Sequence, residues 1–166
     1  MLKGILSKEI CASCRFCCSF RRRSLWELPL FEDAAIQKLG SLNEYGTVIE
    51  FDGRKTPLEA RYMTDDPSEE VPCPFLNSSE GCVLNADDKP FDCSIWPLRL
   101  MAKGDELVIA LTPTCPAVGP TPSPRLISLV NDEGLGERIY EYANSHDYLI
   151  KPYVEGFPVL MSRPRQ

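Results

Sequence analysis

Four cysteines, Cys11, Cys14, Cys17 and Cys18, stand within eight residues in the run CASCRFCC. Thiolates are soft ligands for zinc, copper(I) and iron-sulfur clusters, and a two-residue spacer lets two sulfurs reach one centre through a tight turn. Four more, Cys73, Cys82, Cys93 and Cys115, are spread through the middle of the chain and can close a coordination shell from a distance. All eight are candidate metal ligands. A C-x2-C-x2-C run followed far downstream by a cysteine-proline pair resembles the ligand grammar of 4Fe-4S ferredoxins. On that reading Cys11, Cys14 and Cys17 are local ligands, and Cys73 or Cys115, each followed by proline, closes the set. Zinc is the alternative occupant of the same sulfurs. In extended backbone the adjacent Cys17 and Cys18 point to opposite faces, which directs them to different metal atoms or different sites. Eight sulfurs divide into two four-coordinate sites; a single cluster would instead leave spare cysteines to pack as small apolar groups.

Few other residues compete for a chemical role. His146 is the only histidine and sits near the expected end of a helix, so histidine-based hydrolase and zinc-protease arrangements fit poorly. The acid pairs Asp65-Asp66 and Asp87-Asp88 fall in turn-like segments and read as solvated turn chemistry. Arg15, Arg21, Arg22 and Arg23 flank the cysteine run, either as an ordinary charged surface or as an offset to the negative charge of clustered thiolates. Trp26 and Trp96 read as core or cluster-shielding aromatics, and Phe16, Phe75, Phe91 and Trp96 lie next to or near cysteines, where they could exclude water from a cluster.

The elements that must position these residues are short. A metal-binding loop is expected over the cysteine run, because three sulfurs two residues apart do not share one face of a regular element. Pro29–Leu39 predicts a helix of about ten residues, with Glu32 and Asp33 early, Lys38 late and Gly40 as its stop. Thr47–Phe51 and Leu58–Met63 predict a hairpin. The block from Cys73 to Leu100 is turn-rich, with an NSSEG turn before Cys82, which suits metal loops. Glu106–Thr112 reads as a strand buried on both faces. Five prolines between Pro113 and Pro124 predict a stiff, extended segment, and a helix over Leu126–Ala143 carries two glycines able to split it. A tail strand after Tyr148 belongs at a sheet edge, where its prolines are tolerated.

The chain has 166 residues, 43% of them hydrophobic, and a net charge of -6. That length fits a single domain with a core of its own, so metal is not required merely to compensate for small size. The negative balance disfavours nucleic acid and anionic membranes and leaves a protein- or small-molecule-facing role, of which a protein partner or protein substrate is expected. No run approaches the roughly 20 apolar residues of a membrane helix, and the N-terminal stretch lacks the apolar core of a signal peptide. Eight thiols without an export signal fit a reducing, cytoplasmic setting better than a disulfide framework. The expected fold is α+β, one domain over residues 1–166, with cysteine-bearing loops gathered around one or two metal sites.

The ordered blocks CASCRFCC, CPFL, the Gly81-Cys82 pair, KPFDCSIWP and TCPAVG together resemble the YkgJ-type cysteine-cluster proteins, described as zinc- or iron-chelating. The resemblance covers about residues 11 to 119. Lys89 stands where that family usually has arginine, which keeps the charge but loses the planar fork, and Ala117 where glycine is common. The resemblance implies metal binding through the eight cysteines. Through longer relatives that are flagellin lysine N-methylases, it also links the family to an iron-sulfur centre and S-adenosylmethionine. No separate methyl-donor motif stands in this chain. The expected function is thus an iron-sulfur protein with a redox or protein-modifying role, or else a zinc-stabilised interaction module without turnover.

Overall fold

The computed structural model describes residues 2, 5–6, 8–14, 16–21, 29–39, 49–51, 54–56 and 62–165. The chain divides into two compact units, one of residues 7–94 and the other of residues 95–166 with 1–6. Helices and strands are mixed, with no regular alternation between them.

In residues 7–94 the order is α1 (Lys8–Cys14), a 3-10 turn (Phe16–Cys18), β1 (Ser19–Arg21), α2 (Asp33–Leu39), β2 (Ile49–Phe51), β3 (Arg54–Thr56), β4 (Glu70–Pro72), β5 (Leu76–Asn77), β6 (Gly81–Cys82) and α3 (Phe91–Ile95), which crosses the boundary at Ser94. The strands form three antiparallel pairs, β1 with β4, β2 with β3, and β5 with β6. Such small ladders bury little, so the unit depends on side-chain packing. Phe31 and Phe75 form its aromatic centre, ring centroids 5.4 Å apart and tilted at 57°. Ala35, Ile36 and Leu39 of α2 pack against them together with Leu84.

The predicted helix after Pro29 is found, one turn shorter at its start. Leu30 and Phe31 are buried ahead of it, and the Ile36 N–H donates to the Glu32 carbonyl at 3.0 Å. The predicted hairpin is tighter than its sequence reading: Phe51 pairs with Arg54, directly around Asp52-Gly53, the dipeptide favoured in two-residue hairpins. Most of the expected second strand, residues 58–61, lies outside the described residues. Tyr62 and Met63 are not strand.

In the other unit, β7 (Leu98–Lys103) and β8 (Glu106–Leu111) pair from Leu98↔Leu111 to Lys103↔Glu106. Gly104 occupies the turn between them at φ +58°, a region glycine enters without steric cost. After β8 come α4 (Pro124–Asn131), α5 (Leu135–Ala143), β9 (Ile150–Pro152) and β10 (Val159–Pro164), giving a four-stranded sheet ordered β10-β8-β7-β9. Only the β7–β9 pair is parallel. Residues 107–111 are all buried, as the continuous apolar run predicts. Both tail strands take edge positions, and each includes a proline.

The proline-rich segment is not extended. It folds into turns, with Val118 and Gly119 donating back to the Cys115 carbonyl at 3.2 and 2.8 Å. The helix that follows starts earlier than expected because Ser123 caps it: its Oγ accepts the Leu126 N–H at 3.2 Å, with Pro124 in the first turn. Gly134, at φ +77°, divides α4 from α5. Both helices bury one stripe, Leu126, Leu129 and Val130 on α4 and Leu135, Ile139, Tyr140 and Ala143 on α5. The Tyr140 hydroxyl donates to the Leu107 carbonyl at 3.0 Å, and burial pushes its pKa up to about 12.

Gly136 leaves no room for a side chain between α5, α4 and β10. A Cβ there would meet the Val130 carbonyl oxygen at 2.8 Å and also the Met161 sulfur. Overpacking of this kind costs about 1–3 kcal/mol, against about 1 kcal/mol gained in helix propensity. Since the obstructing atom is backbone, the clash dominates. Gly136→Ala is expected to lower stability by up to roughly 2 kcal/mol in chemical denaturation, and higher stability would show that α4 and α5 give way at this contact.

Candidate metal centre

The cysteine run is more regular than its sequence reading. Cys11 and Cys14 lie on α1, and Cys17 and Cys18 in the 3-10 turn after it. The expectation of an irregular loop fails for a geometric reason. Residues three apart are neighbours on one face of an α-helix and eclipse in a 3-10 helix, so the spacing of three suits helical backbone as well as a loop.

Three further links place cysteines near this run. α1 packs against β6, which carries Cys82. The Cys73 N–H donates to the Cys18 carbonyl at 2.8 Å, where the 3-10 turn meets the end of the β1–β4 ladder at Ser19↔Pro72. Cys73 and Cys82 both pack against Phe31 and Phe75. The β5–β6 hairpin holds Cys82 in place through the expected turn: the Asn77 side-chain oxygen accepts from the Ser79 N–H at 2.8 Å, its hydroxyl at 2.7 Å and the Glu80 N–H at 3.1 Å. Six cysteines therefore fall on contacting or hydrogen-bonded elements of residues 7–94.

Cys93 is exposed on α3, and Cys115, 6% exposed, belongs to the unit of residues 95–166. No disulfide joins any of the eight, all of which are among the described residues.

The donor type fits a thiophilic metal. Convergence is a separate matter: among the described residues, no group of three or more His, Cys, Asp or Glu side chains is arranged to hold an ion. Cys73 and Cys82 pack instead against the Phe31 and Phe75 cluster, as cysteine does among apolar side chains. Converged thiolates repel one another until a cation offsets their charge.

Of the aromatics expected to exclude water, Phe75 is 1% exposed and packs with Cys73 and Cys82, whereas Phe16 is 55% exposed. Trp96 lies in the other unit beneath the Arg99 guanidinium, 4.5 Å from its ring centre. Phe31, which sequence reasoning assigned only to a helix start, is the missed support of this site. Trp26 and Arg15, Arg22 and Arg23 lie outside the described residues, and Arg21 is exposed. His146 sits at a helix end as expected, stacked on Tyr142 with ring centres 3.8 Å apart and its Nδ1 2.7 Å from the Tyr142 carbonyl.

Asp66 bears out turn chemistry. The Ser68 N–H and hydroxyl donate to it at 2.8 and 2.7 Å, holding its carboxyl below its ordinary range. Asp88 corrects it. It is 3% exposed and paired with Lys38 of α2 at 2.6 Å, with the Asn85 amide donating to its other oxygen at 3.1 Å. The hydrogen bond from Lys38, then that from Asn85, holds the Asp88 pKa low, and the same bond raises that of Lys38.

A depressed carboxylate stabilises the fold above its unfolded pKa, about 3.9, and that contribution disappears as pH falls through the lower folded value. A raised ammonium contributes below its unfolded pKa, about 10.4, and is lost as pH rises through the higher folded value. The pair therefore supports residues 7–94 across the neutral range and fails at both extremes. Lys38→Gln is expected to flatten the acid limb of stability against pH, read by hydrogen exchange of α2 amides. An acid limb identical to wild type would remove the pair from the account.

No helix among the described residues is long and apolar enough to cross a membrane. No protein-family model, curated protein or solved structure matches the chain.

Proposed function

We propose that residues 7–94 bind a thiophilic metal through cysteine thiolates, with Cys11, Cys14 and Cys17 as the local set and Cys18, Cys73 and Cys82 as the sulfurs brought alongside. The observation that carries this reading is the grouping of those six cysteines on α1, its 3-10 turn, the β1–β4 ladder and the β5–β6 hairpin. Metal binding then draws together thiols that otherwise pack as apolar groups, so its free energy adds to folding. Cys93, exposed on α3, and Cys115, in the other unit, are left out of the set.

A 4Fe-4S cluster is the occupant the three local cysteines favour, and when bound it would supply electron transfer. Within that assignment the chain's own residues orient the sulfurs and exclude water: Phe31 and Phe75 back Cys73 and Cys82, and the Asn77 turn fixes the hairpin. The resemblance to cysteine-cluster proteins adds a protein-modifying role acting on a protein partner.

The test is anaerobic purification of the full chain followed by iron, acid-labile sulfide and zinc analysis. Equimolar iron and sulfide with broad absorption near about 400 nm establishes the cluster. Stoichiometric zinc in a colourless protein keeps the thiolate site and replaces the redox role with a structural one. A chain that binds neither metal, yet stays folded, defeats the proposal.

A further inference from the structure

We infer that α2 is a lid on the Phe31–Phe75 pair, latched by Lys38 and Asp88, and that its opening sets the access of solvent reagents to Cys73 and Cys82. The inference rests on the thiolate reading for its use in the protein, but the opening itself belongs to the metal-free chain and is tested there.

Packing alone holds α2 lightly. The helix has seven residues, none of them fully buried, and so short a helix is not stable by itself in water. Its apolar attachment consists of Ala35, Ile36 and Leu39, which pack on Phe31 and Phe75. The ion pair supplies a second tether. Lys38 lies in the last turn of α2, with its Nζ 2.6 Å from Asp88.

The two partners of this tether are unlike. The Lys38 side chain is 61% exposed and that of Asp88 only 5%. Asp88 is fixed twice to Asn85: it accepts from the Asn85 side-chain amide at 3.1 Å, and its own N–H donates to the Asn85 carbonyl at 3.1 Å. The anchor is thus buried and held by its own turn, while the arm that grips it reaches in from solvent.

Phe31 connects this latch to the cysteines. The ring is buried two residues ahead of α2, and the Ile36 N–H donates to the Glu32 carbonyl at 3.0 Å, so the helix and the ring are tied together. Cys73 and Cys82 pack on the same two rings, and both are half-buried. When Lys38 releases Asp88, α2 lifts, Phe31 is drawn off Phe75, and both cysteines lose one wall of their shelter. Cys93, already exposed, and Cys115, in the other compact unit, have no share in this motion.

The reduced, chelator-treated full chain is labelled with N-ethylmaleimide over a time course, and the rate at each cysteine is read by mass spectrometry beside hydrogen exchange of the α2 amides. In wild type, urea below the unfolding transition should speed labelling of Cys73 and Cys82 and exchange of the α2 amides with one common dependence on urea, because a single local opening exposes them all. Lys38→Gln should speed labelling at both cysteines by about tenfold or more, the scale of one hydrogen bond to a charged group. Lys38→Arg, which keeps the charge, should lie closer to wild type, and Cys93 labelling and β8 amide exchange should stay unchanged throughout. Separate urea dependences for the two thiols and the α2 amides in wild type would overturn the inference. So would wild-type labelling rates in Lys38→Gln, or an acceleration shared equally with the β8 amides. The wild-type comparison decides even where a variant fails to fold.

Discussion

Phe75→Ala is expected to cost residues 7–94 about 3–5 kcal/mol, the usual range for emptying a buried aromatic site. Most domains have only about 5–15 kcal/mol in total, and this unit has little to spare, since its ladders are two or three residues long. Phe75 is 1% exposed and meets Phe31 in a tilted ring pair, a geometry that adds about 0.5–1.5 kcal/mol to burial alone. Its backbone matters as well: the Phe75 carbonyl accepts the Val83 N–H at 2.9 Å, at the end of the β5–β6 hairpin. Removing the ring takes support from Cys73 and Cys82 together, so stability and metal capacity should fall in the same variant. Denaturant unfolding followed by hydrogen exchange separates this from global collapse: amides of β7, β8 and α5 should stay protected while those of α2 and the hairpin open. Equal loss in both regions would show that the two compact units unfold as one.

Joint replacement of Cys11 and Cys14 by serine is expected to lower metal affinity by more than about 100-fold. Loss of an outer-shell partner alone typically costs 10- to 100-fold, and under the proposed thiolate set two direct ligands would be removed. The two residues lie one helical turn apart on α1, where neither is fully buried, so serine fits without a cavity and the helix should persist. Metal content per chain, measured beside a circular dichroism spectrum, decides the matter. Unchanged content with unchanged helicity would exclude α1 as a ligand-bearing element and move the site to the later cysteines. Replacing Cys93 or Cys115 alone should leave metal content at the wild-type level.

What could be read in advance follows the range of the interactions concerned. The apolar run of β8, the NSSEG turn and the break at Gly134 are set by residues adjacent in sequence, and each was legible. β7 was missed because Arg99 and Lys103 interrupt its apolar pattern and its start follows directly on the last cysteine block, although Gly104-Asp105 between two strand-forming runs was an available turn signal. The α1 helix was hidden by an ambiguity of spacing, since three-residue intervals serve a metal loop and a helix face equally. Asp88 looked like a turn acid because its partner, Lys38, lies fifty positions upstream, and no local pattern announces such a pair. The assignment of Cys115 to a different compact unit from the other seven is likewise a property of long-range packing. As for the candidate site, sequence supplied the donors and structure supplied their neighbours, Phe31 above all.

The two outer strands of the larger sheet carry a consequence for the protein in a crowded solution. Pro152 and Pro164 each withdraw a hydrogen-bond donor from an exposed margin, and Lys151 turns inward on β9, its Nζ donating to the Tyr148 carbonyl at 2.7 Å. A foreign β-strand docking there would find gaps in the row of donors, and on β9 would have to accommodate a cation already committed to its own chain. Each outer strand of this sheet thus carries a feature by which natural sheets discourage the addition of a further strand.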